Sequence, residues 1–124
     1  MRIIGGTAAG LLIKVPKGYD VRPTPDLVRQ AIFNSLGPRV NGARVLDLFS
    51  GSGALGLECL SRAAATVLSV EKSSRHATMI RQNLVSIHLA PDNFELRPQD
   101  VFTVVGQLAA DKRDFDLILA GTPG

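Results

Sequence analysis

The stretch that most constrains this chain is VLDLFSGSGALGLE at positions 45–58. An apolar strand pattern, interrupted by Asp47, runs into Gly51-x-Gly53-x-x-Gly56 and then into a helical pattern. Gly51 and Gly53 let the backbone turn sharply and approach a ligand closely, because neither carries a Cβ that would collide with it. Such a triplet is a weak signal in isolation, but after a strand and before a helix it marks the turn of a nucleotide-binding α/β sheet.

From position 43 onward, short apolar runs alternate with amphipathic patterns, as in a parallel sheet covered by helices. Strands are expected at 43–49, 65–70, 94–97 and 115–120, with helices at 53–63, 74–89 and 101–110. Ala77, Ile80, Leu84 and Ile87 form an apolar face on the second helix, and Val101, Val104, Val105 and Leu108 on the third. Right-handed crossovers give the strand order 3-2-1-4, with ligands at the carboxyl ends of the strands, near Phe49, Glu71, residues 98–100 and Gly121 onward. Upstream, residues 1–16 read as a β-hairpin. Thr24 is expected to cap a helix that has Pro25 at its first position and is stopped by Gly37-Pro38. The 124 residues are expected to form one domain, with a basic hairpin and helix over 1–42 and an α/β core over 43–124.

Charge is unevenly spread. Up to position 43, Arg2, Lys14, Lys17, Arg22, Arg29 and Arg39 face only Asp20 and Asp26, while the remainder carries eight basic and nine acidic residues. An N-terminal basic excess suits a polyanionic partner such as nucleic acid, although it also suits a solvated surface. Cys59 is the only cysteine, which excludes an intrachain disulfide and a cysteine-based zinc site and fits a reducing cytoplasm. No run of apolar residues approaches the length of a membrane span, so a cytoplasmic location with no membrane contact is expected.

Of three acids at the strand ends, Asp47 and Asp100 discriminate between adenosine cofactors, and Glu71 suits either. Glu71 ends the second expected strand, where a carboxylate can accept from both ribose hydroxyls of a nicotinamide dinucleotide or of S-adenosylmethionine. Asp47, four residues before the turn, would repel a pyrophosphate and attract a cationic sulfonium with its amino group. Asp100 can accept from an adenine amino group and can equally cap the helix that begins at Val101. These positions favour S-adenosylmethionine over a nicotinamide redox carrier.

The stretches MRIIGG with Gly10 following, VRPTPDLVRQAIFNSLGPR, GARVLDLFSGSGALGLECLSRAA, VEKSSRHATMIRQNL and FDLILA carry a more specific resemblance and together span nearly the whole chain. The chain resembles the RsmD family, bacterial class I S-adenosylmethionine-dependent methyltransferases that modify the exocyclic amine of a guanine in small-subunit ribosomal RNA. The resemblance implies that Asp47, Phe49, Gly51, Ser52 and Gly53 surround the methionine and ribose part of the cofactor. It places Glu71 at the ribose hydroxyls, Lys72 at the adenine edge, and Asp100 with Val101 at the adenine ring. Arg22, Pro23 and Thr24 would close over the active site, and the N-terminal lobe that includes Arg2 would meet ribosomal RNA in the small subunit.

The chain departs from that family after FDLILA, where members carry Asp-Pro-Pro-Tyr or a near variant that holds the target amine and stacks on the base. Here the residues are Gly121, Thr122, Pro123 and Gly124, with neither acidic group nor ring at the matching places. A Rossmann-like sheet incomplete at its C-terminal side is therefore expected, as is weak or absent transfer, from an altered or shortened end. Its apolar fourth strand would be left as an edge open to a dimer or to strand exchange. A non-catalytic RNA-binding or interaction module with the same fold is the alternative, and a nicotinamide oxidoreductase ranks third.

Overall fold

The computed structural model describes residues 1–15, 25–89 and 91–120. Its centre is a four-stranded, all-parallel sheet of β1 (Arg44–Leu48), β2 (Thr66–Val70), β3 (Phe94–Arg97) and β4 (Leu117–Ala120), in the order β3-β2-β1-β4. The α-helices are α1 (Asp26–Leu36), α2 (Ala54–Ser61), α3 (Ser74–Ser86) and α4 (Val101–Ala110). The strand order and the sequence of elements match the expectation, while several ends are shorter by one to three residues.

Alternation along the two inner strands sorts the core. Val45 and Val67 face a cluster with Phe33 of α1 and Leu55 and Cys59 of α2, whereas Leu46 and Leu68 face Val104 and Leu108 of α4. Parallel strands are buried on both faces, so these read as continuous apolar runs. Val105, expected on the buried face of α4, is 43% exposed; Val101, Val104 and Leu108 already fill the span that one short helix covers. Leu84 on α3 is only partly buried, and Asn83 beside it is the buried residue.

β4 forms one edge of the sheet. Its start is set by Asp116, which accepts from the Arg44 backbone N–H at 2.8 Å and from the Arg44 guanidinium at 3.1 Å, and these bonds hold the Asp116 carboxyl below its ordinary range. Ile118 on the outer side of β4 is 62% exposed. No helix among the described residues is long and apolar enough to cross a membrane.

Two N-terminal expectations change. α1 begins at Asp26, with Pro25 as an extended cap residue rather than the first helical one, and Thr24 lies outside the described residues. Pro25 still starts the helical ladder, because its carbonyl accepts from the Arg29 N–H at 3.0 Å. The hairpin is reduced to a single antiparallel bridge, Arg2↔Leu12, flanked by the Ile3 to Leu11 and Ile13 to Met1 hydrogen bonds. The backbone between these rungs is committed to α2 instead of to a second strand.

Glu58 makes that commitment. Every residue of α2 is buried, Glu58 completely. Its Oε1 accepts from the Ile4 N–H at 2.8 Å, and its Oε2 accepts from the Gly5 N–H at 2.9 Å and from Arg62 Nε at 2.8 Å. Arg29, also fully buried, lies with Nη1 at 3.5 Å from Oε1 and donates Nη2 to the Arg2 carbonyl at 2.9 Å. One carboxylate thus joins the hairpin, α1 and α2. Removing one partner of a buried ion pair strands the other charge and costs about 3–5 kcal/mol. Glu58→Ala is accordingly expected to lose about that much in urea unfolding monitored by circular dichroism; a loss below about 1 kcal/mol would show that this junction is not what holds the N-terminal segment.

Candidate cofactor site at the carboxyl ends of the strands

The turn after β1 is a run of unusual backbone. Phe49, Gly51 and Gly53 have φ of 55°, 58° and 81°, a region that costs a side chain such as that of Phe49 strain and costs glycine little. Strained non-glycine residues persist where the surroundings over-determine them, and they collect at ligand sites. Here the constraints are the Ser50 N–H to Val70 carbonyl bond at 3.0 Å, the Gly53 N–H to Ser50 carbonyl bond at 2.8 Å, and the Ser50 hydroxyl on the Asp47 carbonyl at 2.9 Å.

Glu71 holds the turn from the next strand. Its Oε1 accepts from the Gly51 N–H at 2.8 Å and its Oε2 from the Ser73 N–H at 2.9 Å. Each carboxylate oxygen has a second lone-pair direction left for a further donor. The ring nitrogen Nδ1 of His76, on the first turn of α3, lies 3.8 Å from Oε2. Residue periodicity gave no warning of His76, which is brought to Glu71 only because α3 starts so soon after β2.

Asp47 lies beneath the turn. It is 1% exposed, and its Oδ2 accepts from the Gly56 N–H at 3.2 Å and from the Ser69 hydroxyl at 3.3 Å, while its Oδ1 is buried without a partner. Gly56 makes room for it: a Cβ there would stand 2.8 Å from Oδ2 and 2.9 Å from the Ser69 oxygen. Burial pushes the Asp47 carboxyl up to about 7. Asp47, expected as a carboxylate that draws a cationic sulfonium, is thus a buried support beneath the turn, its carboxyl raised by burial and one oxygen without a partner.

The remaining expected residues divide. Gly53 is the residue before α2, and buried Ser52 gives its carbonyl to Asn83 Nδ2 at 2.9 Å. Asp100 caps α4, its Oδ2 accepting from the Thr103 N–H at 3.2 Å, with Val101 following as the first helical residue, so the cap role foreseen for it is present. Lys72 is exposed beside Glu71. Arg2 is exposed on the hairpin, remote in the chain from these loops, with its guanidinium on the Gly10 carbonyl at 2.7 Å. Arg22, Pro23, Thr24 and the four residues Gly121, Thr122, Pro123 and Gly124 lie outside the described residues. The elements therefore bring the turn, Glu71 and the start of α4 to the same end of the sheet. That set offers backbone close approach, a carboxylate with acceptor capacity left and a polar helix start, and this donor and acceptor chemistry fits an adenosine cofactor.

The family model described as Conserved hypothetical protein 95 matches residues 1–123. The chain belongs to this family. Ribosomal RNA small subunit methyltransferase D of Escherichia coli K12 is 44% identical over 87 residues, which cover 70% of this chain and 44% of that protein. A solved hypothetical protein of Thermus thermophilus superposes with a TM-score of 0.88 at 31% identity, over 99% of this chain and 69% of its own. A candidate methyltransferase solved in complex with SAH gives a TM-score of 0.66 at 26% identity, over 74% of this chain and 23% of its own. The family match bears out the RsmD resemblance, and the methyltransferase structures bear out the Rossmann-like sheet. The chain spans about half the length of the curated relatives it matches.

The raised Asp47 value has a sign that can be measured. A carboxyl near 7 when folded and 3.8 otherwise binds its proton more tightly in the folded state. Its contribution to stability is therefore full below about pH 4 and is lost as pH rises through 7. Asp47→Asn, which cannot ionise, is expected to melt at least about 4 °C above the parent protein at pH 8, the effect of about 1 kcal/mol in a small domain, with no gain at about pH 4. Equal melting shifts at the two pH values would place the Asp47 carboxyl in its ordinary range.

Proposed function

We propose that this chain carries the S-adenosylmethionine-binding core of a ribosomal RNA methyltransferase, and that the substrate class is the exocyclic amine of a guanine in small-subunit RNA. The observation that carries the reading is Glu71. Its two oxygens hold the amides of Gly51 and Ser73, so that it stands between the strained turn and the loop after β2 with acceptor capacity to spare. The family membership and the SAH-bound relative support the choice of cofactor. The named ribosomal RNA methyltransferases among its relatives support the choice of substrate.

In this reading Glu71 accepts from the ribose hydroxyls, the backbone of 51–53 lies against the methionine and ribose part, and Asp100 and Val101 border the adenine. Bound S-adenosylmethionine supplies an activated methyl group. Asp47 supports the turn from below, through the Gly56 amide and the Ser69 hydroxyl. Exposed Arg2 and Lys14, with Lys17 and Arg22 close in sequence, give the N-terminal lobe the charge to hold an RNA backbone.

Transfer needs a group that orients the amine for in-line attack. Gly121 and Gly124 stand where the family carries an acidic residue and an aromatic ring, so this chain offers neither at those places. Binding without efficient transfer is therefore the expected behaviour, and it favours a second reading in which the protein acts as a cofactor-responsive RNA-binding module.

Isothermal titration with SAH separates the readings from a bare fold. The parent protein is expected to bind, and Glu71→Ala to bind at least about tenfold more weakly, the effect of losing one to two hydrogen bonds to a charged group. No heat from well-folded parent protein would remove the cofactor assignment. Methyl incorporation into small ribosomal subunits is expected to be at background; incorporation at a rate of several per minute would show that Gly-Thr-Pro-Gly is no impediment.

A further inference from the structure

The formal net charge of +3 sits on one segment. Residues 72–89 carry Lys72, Arg75 and Arg81 with no acidic residue, and the other basic and acidic residues of the chain balance at eleven each. Most of the segment is α3, which buries Ala77, Ile80 and Asn83 and exposes Arg75, Thr78, Arg81 and Gln82. Arg75 and Arg81 are about 9 Å apart along the axis. That is close to the Debye length at physiological salt, so their fields reinforce each other.

The way the protein uses its other arginines sets this pair apart. Arg2 and Arg39 donate to backbone carbonyls. Arg29, Arg44, Arg62, Arg97 and Arg113 each meet a carboxylate, at 2.6–3.5 Å. Among the described residues, only the guanidinium groups of Arg75 and Arg81 have no such partner. Each keeps five N–H donors in the planar fork that fits phosphate. A merely solvated stretch of this protein mixes signs, as Asp111, Lys112, Arg113 and Asp114 do. Lys14 adds to the face from far away in the chain. Asn83 fixes its backbone, Oδ1 accepting from the Lys14 N–H at 2.6 Å and Nδ2 donating to the Lys14 carbonyl at 2.9 Å, and its ammonium lies 3.5 Å from Gln82 Oε1. The face also begins beside the proposed cofactor site, because Glu71 holds the Ser73 N–H at 2.9 Å and Arg75 lies in the first turn that follows.

Resting on the RNA reading above, we propose that the exposed face of α3, Arg75 and Arg81 with Lys14 alongside, holds the phosphate backbone of the substrate RNA. Phosphate contacts position a nucleic acid without reading its sequence. A strand laid along α3 from Arg81 to Arg75 arrives at the end of the sheet where Glu71 stands, and a base there can be turned out of the stack toward the methyl donor. A membrane surface fits poorly, because an interfacial helix needs its apolar side free and that of α3 is buried. A protein partner fits poorly too, since interface centres are apolar or aromatic and Val85 is the only large apolar side chain that α3 exposes.

Binding of a labelled single-stranded fragment of small-subunit ribosomal RNA across a salt series tests this. Arg75→Gln/Arg81→Gln is expected to bind roughly tenfold more weakly at about 0.1 M salt, with the slope of log affinity against log salt shallower by about 1.4, the share of two phosphate contacts on a single strand. Lys112→Gln, which removes an exposed charge flanked by Asp111 and Asp114, is expected to keep the parent slope. An unchanged slope in the double variant overturns the proposal and leaves the RNA reading standing. No RNA binding by the parent protein removes that reading, and the proposal with it. Titration of the double variant with SAH is expected to match the parent; lost SAH binding would show that the arginines act through the cofactor loop and would overturn the proposal. Weakened binding to phosphatidylserine vesicles with RNA binding intact would assign the face to a membrane instead. If the double variant does not fold, the arginine Nε–H resonances of the parent protein decide: those of Arg75 and Arg81 are expected to shift on addition of RNA, and shifts confined to other arginines overturn the proposal.

Discussion

One carboxylate sets the shape of the site: Glu71, reaching from the end of β2 to the amide of Gly51 in the loop after β1. Parallel pairing puts Asp47 opposite Ser69, so the two strands finish at nearly the same level and their loops leave side by side. Two adjacent loops present N–H groups toward each other with no acceptor between them. An acid at that place satisfies both loops, and it remains an acceptor toward anything that enters. Charge-assisted bonds of this kind are about twice as strong as neutral ones, and carboxylates take backbone amides at four other places in the chain. Asp47 takes the amide of Gly56, Glu58 those of Ile4 and Gly5, Asp100 that of Thr103 and Asp116 that of Arg44.

Much of this architecture was legible from the amino-acid order because it rests on short periods. Strands buried on both faces show as continuous apolar runs, and helices with one sheet-facing side show the 3.6-residue repeat, so the sheet order and the extent of α4 follow from pattern alone. Asp100 was readable both as a cap and as a loop acid for the same local reason. The Gly-x-Gly-x-x-Gly spacing announced the turn, and the structure adds why its third member is glycine: the Asp47 carboxylate occupies the space of a Cβ at residue 56.

The rest was hidden because its partners are far away in the chain. Glu58 sits in the apolar stretch ALGLECLS, and nothing in that stretch says that its oxygens meet amides more than fifty residues upstream. Asn83 likewise reads as one polar residue on an amphipathic helix until Lys14 and Ser52 are placed beside it. Asp47 was read as a charge because it precedes the turn, yet the pleat directs it under α2, where burial raises its carboxyl to about 7 and weakens the electrostatic case for a cationic ligand. The hairpin failed as a full two-stranded element for a related reason, since its middle amides bond to α2. Non-local polar pairing is the information that periodicity lacks.

The family assignment and the geometry now carry different parts of the account. Membership identifies the chain as a methyltransferase relative, while the positions of Glu71, Gly51 and Asp100 are those that the proposed reading gives to a nucleoside. Their agreement replaces the charge on Asp47 as the basis for the cofactor assignment. An amide-resolved NMR titration of the labelled protein with SAH tests that agreement most directly. The account predicts shifts concentrated at 51–53, 71–73 and 100–101, saturating together with a single affinity. Shifts scattered over the exposed face of α1, or none at the Gly51 and Ser73 amides, would contradict it.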